Sequence, residues 1–489
     1  MPHQSTQHVD VIIIGAGLSG IGAAVHLKKH CPTRSFIIVE GRASLGGTWD
    51  LFRYPGIRSD SDMHTMGYQF KPWSETQSIA DGPSILSYIQ ETAHEFGIQD
   101  HIHYQHKVTE AHWITEQKCW TLKVLDVESQ HYISMTCSFL HLCAGYYDYE
   151  QGHVPQFPNQ EEFRGELLHP QHWPERYDYQ DQRVIVIGSG ATAITLVPKL
   201  AEKTSHVIML QRSPTYIVAW PEHDKIAKIL SMILPWRLTY SVIRWKNIKL
   251  QRLGYALAQI FPRYVKRLLL HKANRYLNDK ELIHKHFNPR YKPWEQRVCL
   301  TPNGNFFRAI KEGKASVITE HVERFESDGI TLKSGQRLRC DAVVMATGLK
   351  LKALGGVEVY VDQRQVSIDQ HWSYRGVLYS SIPNLFTCFG YINASWTLRA
   401  DLVSRFVCRV LNHMDHTRTR VCTATLRPSD LNMTPRPWIE GFSPSYFKRS
   451  PHVFPMRGEH DPWTNPQDHT ATQKLLLKDS LEDGVLTFN

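Results

Sequence analysis

Two glycine-rich turns restrict what this chain can fold into more than any other feature. Val9–Ile14, an apolar β-branched run, feeds Gly15-Ala16-Gly17-Leu18-Ser19-Gly20; a helix pattern follows to about Lys29, and a second strand, Ser35–Val39, ends at Glu40. The order is strand, G-x-G-x-x-G, helix, strand, acid. The first Gly permits a tight turn, the second lets backbone N–H groups approach a pyrophosphate, and the third lets the helix pack on the strand. A carboxylate about twenty residues on takes a ribose hydroxyl. Arg183–Ile187 feeds Gly188-Ser189-Gly190-Ala191-Thr192-Ala193 in the same way, but the strand after it, His206–Leu210, ends in Gln211-Arg212-Ser213 with no acid. An acid there would repel a 2′-phosphate, whereas Arg pairs with it. The first turn therefore reads as an adenine-dinucleotide site and the second as a site for NADPH rather than NADH.

At 489 residues, a prior of roughly 150 residues per domain suggests two to four domains. The 42% hydrophobic and 21% charged residues are those of an ordinary globular protein. No apolar run approaches the ~20 residues needed to span a bilayer. Met1 to His8 lacks a basic n-region, so no signal peptide is expected. The nine scattered Cys fit reduced thiols in a cytoplasm, and the absence of C-x-x-C excludes a redox-active dithiol. The net charge of +9 is local: Lys225 to Arg275 holds twelve Lys or Arg and no Asp or Glu, so the rest is slightly acidic. That block, rich in Leu, Ile and Trp, reads as inserted helices covering the active site, with peripheral membrane contact as a second reading. No nucleic-acid motif accompanies it. His26 and His30 share a helix face, but Leu27 stands where a zincin has Glu, so no metal site is expected.

Other stretches surround the two turns. Leu45-Gly46-Gly47-Thr48-Trp49-Asp50 offers another close backbone approach, suited to a flavin ribityl chain or a pyrophosphate. Arg53 to Asp62 reads as a loop entering a helix, where Ser59, Asp60 or Ser61 can serve as N-cap. Phe139 to Gly145 reads as a buried strand ending in small residues, as expected beneath a nucleotide, and Asp341 to Gly348 repeats that logic. On this reading the chain then returns to the first nucleotide domain, and the second is an insertion. The expected fold is α/β, with two Rossmann-like dinucleotide-binding domains, one inserted in the other. Residues 1–150 form the first part of one domain, 151–180 a linker, and 181–335 the second domain with a helical insertion at about 220–290. Residues 336–425 complete the first domain, and 426–489 form a wrapping tail. Ile382–Phe386 and a helix near Leu398–Val410 would close the first site. The linker from Phe163 to Pro174 reads as neither helix nor strand, since prolines break it and no apolar period runs through it. Arg297 falls in a loop, where a surface cation is the plainer reading.

The pattern F-x-G-x-x-x-H-x-x-x-W-P, met by Phe163, Gly165, His169, Trp173 and Pro174, resembles the fingerprint of Baeyer–Villiger monooxygenases. The related flavin-containing monooxygenases usually end that motif in Tyr or Phe. Gly46 to Gly56, Leu210 to Tyr216 and Asn393 to Leu398 are similar to the ethionamide-activating monooxygenase group, and the resemblance runs to about residue 425. It implies FAD in the first domain and NADPH in the second. NADPH reduces FAD, O₂ adds at flavin C4a, and the peroxyflavin attacks a ketone, whose adduct rearranges to an ester or lactone. The resemblance gives the flavin Ser19, Glu40, Thr48, Trp49, Asp50, Leu51 and Val108, beside Gly15, Gly17, Gly20 and Gly47 of the turns. It gives NADP Arg58, Ser59, Asp60, Gly188, Ser189, Gly190, Ala191, Thr192, Ala193, Arg212 and Ser213. Arg297 is assigned the permanent charge that stabilises anionic oxygen in a dry site, with Asp60 contacting it and tuning its position. The linker couples NADP-domain movement to the flavin site, with His169 as a structural member.

The main rival reading is an S- or N-oxygenating flavin monooxygenase acting on sulfides or thioamides. A remoter one is a non-catalytic flavoprotein held at a membrane through 225–275. Expected partners are a ketone or sulfide substrate and O₂. Expected location is cytoplasmic, with membrane association as an option; the sequence does not indicate the oligomeric state.

Overall fold

The computed structural model describes residues 8–75 and 77–489. The N-terminal stretch read above for a signal peptide lies, apart from His8, outside the described residues. His8–Ile14 is an interior strand of a nine-stranded sheet, parallel to Phe36–Val39 on one side and Tyr132–Leu142 on the other. Val11 to Ile14 are all buried, and a parallel strand covered on both faces must be apolar throughout. Tyr132–Leu142 also pairs antiparallel with Cys119–Asp126, which pairs with His106–Ile114, while Leu385–Thr387 joins its far end in parallel. The helix Leu18–His30 packs on the long helix Trp396–Thr417. His26 meets Asp401 there at 3.2 Å.

The second sheet is five-stranded and parallel, in the order Ala315–Thr319, His206–Gln211, Arg183–Ile187, Ala342–Met345, Glu166–Leu168. From Arg183–Ile187 the chain moves to one side and later returns on the other. The carboxyl end of that strand is thus a topological switch point, where a ligand crevice opens.

Two boundaries differ from the sequence reading. Asp341 to Gly348 does not return the chain to the first domain, because Ala342–Met345 pairs with Arg183–Ile187 inside the second sheet. The first sheet regains the chain only at Glu358–Val361. An all-apolar parallel strand carries no mark of which sheet it enters. The linker, in turn, supplies the edge strand Glu166–Leu168, too short to show an alternating pattern. The two crossings between domains run side by side, Tyr147–Gly152 antiparallel to Leu349–Leu351, and form a two-stranded ribbon. The tail contains the helix His469–Leu477, and its end, Leu486–Phe488, pairs with Cys422–Ala424.

The helical insertion consists of Lys225–Ser231, Trp236–Ile260, Pro262–Leu277 and Lys280–His286. It is fastened to the first domain as well as the second. Arg244 Nη1 donates to the carbonyls of His64, Thr65 and Gly67 at 2.9, 3.2 and 2.7 Å. The Asn247 and Gln251 amides donate to the two Asp62 oxygens at 2.8 Å each.

Candidate active site

A cleft of about 1070 Å³ runs between the carboxyl ends of the two sheets. It exceeds the ~300–1,000 Å³ of single small-molecule sites. Both glycine turns open into it. Gly15 (φ +101°) and Gly188 (φ +140°) occupy the left-handed region, and a Cβ on them would meet Cys143 O at 3.0 Å and Ala346 O at 2.1 Å. Each turn therefore lies against the small-residue end of the neighbouring strand. The helices that follow begin after Gly17 and Gly190 with no side-chain cap, so their first-turn N–H groups are available to an anion.

On the first side, Glu40 accepts from the Ala16 and Arg42 amides at 2.7 and 3.0 Å. Burial pushes its pKa up, and those amides oppose the rise. Each carboxylate oxygen keeps lone pairs for ribose hydroxyls. A Cβ on Gly47 (φ +56°) would come within 3.1 Å of Gly17 Cα. Ser19 Oγ accepts from Trp396 Nε1 at 2.7 Å, and Thr48 meets the Tyr149 hydroxyl at 3.3 Å. Trp49, Leu51 and Val108 complete this wall.

On the second side, Ser189 donates to the Ser213 carbonyl at 3.0 Å, linking the glycine turn to the end of strand His206–Gln211. Gly190, Ala191, Thr192 and the exposed Arg212 line the same wall. Gly20, Ala193 and Asp50 do not line the cleft. A Cβ on Gly20 would sit 1.8 Å from Gly15 O, so this glycine packs helix on turn, and Ala193 is buried in the second core. Asp50 ties Arg42, Arg53 and Ser44 together at 2.6, 3.0 and 2.5 Å, behind the Gly46-Gly47 pair.

Arg58, Ser59, Asp60 and Arg297 meet between the two sides. Arg58 donates to the Leu300 carbonyl at 3.0 Å, and Ser59 Oγ donates to Ser61 O at 2.7 Å. None of Ser59, Asp60 and Ser61 caps the following helix: Asp62 does, accepting from Thr65 N. Burial raises the Asp60 pKa, while Arg297 and Arg58 pull it down. Among the described residues Asp60 and Arg297 form no direct ion pair within 4.0 Å. Asp60 therefore faces Arg297 through the field of the cleft, as it faces Arg58 of its own loop. For Arg297, burial opposes the charge, but Tyr146, Tyr446, Tyr147 and Asp60 favour it and its pKa stands above the ordinary value.

Tyr446 and its neighbours Pro444, Ser445 and Arg449 reach the cleft from the tail, which the sequence reading treated only as a wrapper. Ser443 fastens that segment to Glu295, two residues before Arg297, by bonds of 2.8 and 3.1 Å. Tyr146 stacks on Trp396 with centroids 5.5 Å apart and shares a 3.1 Å hydroxyl contact with Tyr147. The one sequence signal was the aromatic pair Tyr446-Phe447 in a Pro- and Ser-rich stretch.

Phe163, Gly165, His169 and Trp173 lie outside the cleft lining. Phe163 packs edge-on against Phe325 at 5.9 Å, and a Cβ on Gly165 would meet Asp341 O at 2.3 Å. Trp173 sits edge-on to Tyr177 at 6.2 Å. The His169 ring occupies the space a Cβ on Gly152 would fill, at 2.0 Å, and burial pushes its pKa down to about 4. Next to it, Gln171 Nε2 donates to the Asp148 carbonyl at 2.8 Å. The motif thus clasps the outgoing crossing strand of the ribbon. Among the described residues no cluster of three or more His, Cys, Asp or Glu can hold a metal ion.

Residues 79–420 match the family described as flavin-binding monooxygenase-like, and residues 13–76 an NAD(P)-binding Rossmann-like domain. The chain is 47% identical to the FAD-containing monooxygenase EthA of Mycobacterium tuberculosis over 99% of its length and 98% of the relative's. It is 45% identical to the probable FAD-binding monooxygenase AlmA of Acinetobacter sp, over 99% and 97%. Among solved structures it resembles an oxidized steroid monooxygenase bound to NADP, with TM-score 0.80, 18% identity and 99% of both chains covered. An open form of cyclohexanone monooxygenase gives TM-score 0.74 at 20% identity, covering 87% of this chain and 91% of the other. Two dinucleotide crevices facing one cleft, matched along nearly the whole chain, place this protein in the flavin-binding monooxygenase-like family.

Proposed function

We propose that the chain is an FAD-containing, NADPH- and O₂-dependent Baeyer–Villiger monooxygenase that converts ketones to esters or lactones. The residues present fit both cofactors. The uncapped helix at Gly17, the Gly17–Gly47 approach and Glu40 suit the pyrophosphate and ribose of FAD. The uncapped helix at Gly190 and the exposed Arg212 suit NADPH. Bound FAD, reduced by NADPH, supplies the activation of O₂.

This chain's own residues hold the charge and exclude water. Arg297 lies in a wall of aromatic side chains and keeps its guanidinium charged there. A charge already in place at an anionic oxygen needs no solvent reorganisation when that oxygen forms. Asp60 supplies a negative field at Arg297, and Tyr146, Tyr147 and Tyr446 surround it with hydroxyl-bearing rings. A histidine with its pKa near 4 stays neutral at working pH, so His169 serves as packing in the ribbon and not as a proton carrier.

The observation that carries the reading is Arg297 standing, with Asp60, at the meeting point of the two nucleotide crevices. Product analysis with a ketone and a sulfide presented separately tests it. Ester or lactone from the ketone at a rate comparable to any sulfoxidation supports it. Sulfoxide alone would assign the chain to the S-oxygenating branch.

A further inference from the structure

We propose that the outward face of the helical insertion seats on the surface of an anionic lipid bilayer. The helix Trp236–Ile260 is apolar well beyond the side it buries. Its inner side buries Thr239, Tyr240, Ile243 and Ala258. Adjoining them around the helix, Leu238, Val242, Trp245, Leu253 and Ile260 fall on one exposed stripe, where a surface helix ordinarily places polar residues. The patch continues onto both neighbouring elements. Met232 and Ile233 before it are each 74% exposed, Trp245 is 64% exposed, and Tyr264 after it is 69% exposed. Single exposed apolar side chains are ordinary, but a contiguous patch marks an interaction surface.

Charge selects the occupant. Of the twelve cations from Lys225 to Arg275, Arg244, Lys246 and Arg252 pair with Asp401, Asp224 and Asp468, which leaves nine without a carboxylate partner among the described residues. A second copy docked face to face would set those cations against their own kind. A layer of anionic headgroups complements them, and Trp, Tyr and Phe beside Lys and Arg are the side chains that settle at the headgroup boundary. No described helix is long and apolar enough to cross a membrane. The face therefore lies in the plane of the surface, its apolar stripe sunk ~5–10 Å. The proposal is independent of the chemistry read from the cleft.

Co-sedimentation of the purified full-length protein with vesicles tests it, using phosphatidylcholine alone and phosphatidylcholine mixed with phosphatidylglycerol. We expect binding to the anionic vesicles that weakens in high salt. The triple variant Ile233→Glu, Trp245→Glu, Leu253→Glu and the charge variant Lys249→Glu, Arg263→Glu, Arg267→Glu should each lose about tenfold or more in partitioning. Both keep NADPH oxidation in solution, since all six side chains lie outside the cleft lining. Failure of the wild type to bind anionic vesicles, or binding by both variants equal to wild type, overturns the proposal. So does sedimentation showing wild-type self-association that the first variant abolishes, which assigns the face to a second copy.

Discussion

A guanidinium keeps its charge where an ammonium surrendered to burial would lose it, and Arg297 sits where that difference counts most. The Arg297→Ala protein should keep its bound FAD and lose ester formation by about 10²-fold or more, measured as kcat with product detection. Asp60 carries the opposite bias. Its pKa is raised because burial outweighs Arg297 and Arg58, so the folded protein holds that proton more tightly than the unfolded chain does. Its contribution to stability is complete at low pH and is lost as pH rises through the raised value. Asp60→Asn should therefore raise Tm at neutral pH while slowing turnover, and the gain in Tm should shrink as pH falls into the ordinary carboxylate range; thermal melts across pH check both. At the NADP side, Arg212→Glu should lower kcat/KM for NADPH by about 10²-fold and leave NADH nearly unaffected, read from steady-state kinetics with each nucleotide. The reading of Arg212 rests on local signals, namely a glycine turn, the strand after it and the charge at that strand's end, whereas Arg297 and Asp60 carry no such signal and their roles came from the family resemblance. Tyr446 was not legible, since only the folded tail brings it to Arg297.

At the scale of elements, the ribbon of Tyr147–Gly152 and Leu349–Leu351 is the only place among the described residues where both interdomain crossings lie side by side. The fingerprint segment holds the outgoing strand through Gly152 against His169, and through Gln171 and His172 against the Asp148 and Glu150 carbonyls, at 2.8 and 3.1 Å. Loosening this clasp should leave hydride delivery intact but spoil the alignment of the domains afterwards. His169→Ala is thus expected to show a normal rate of anaerobic flavin reduction by NADPH and an increased yield of hydrogen peroxide per NADPH consumed. Unchanged coupling would return the segment to simple packing. The motif was visible in the sequence as an oddity, but its edge strand was not, because three residues cannot display a period.

At the scale of the whole molecule, the second nucleotide domain is nested in the first, and the cleft exists only because the chain crosses out and back. The nesting was legible from the order of the glycine turns. The sheet membership of Ala342–Met345 was not, since a strand buried on both faces reads alike in either sheet. The outward stripe of Trp236–Ile260 was hidden for a related reason: its spacing is that of a core-facing helix, and only the fold reveals that no described residue covers it. The proposed activity is insertion of one atom of O₂ into a carbon–carbon bond of a ketone. The most direct measurement is turnover of a ketone with NADPH under ¹⁸O₂, with mass analysis of the product. The wild type should give an ester or lactone carrying one ¹⁸O atom, and Arg297→Ala should form it about 10²-fold more slowly or worse. NADPH oxidation that yields only hydrogen peroxide, with the ketone recovered unchanged, would contradict it.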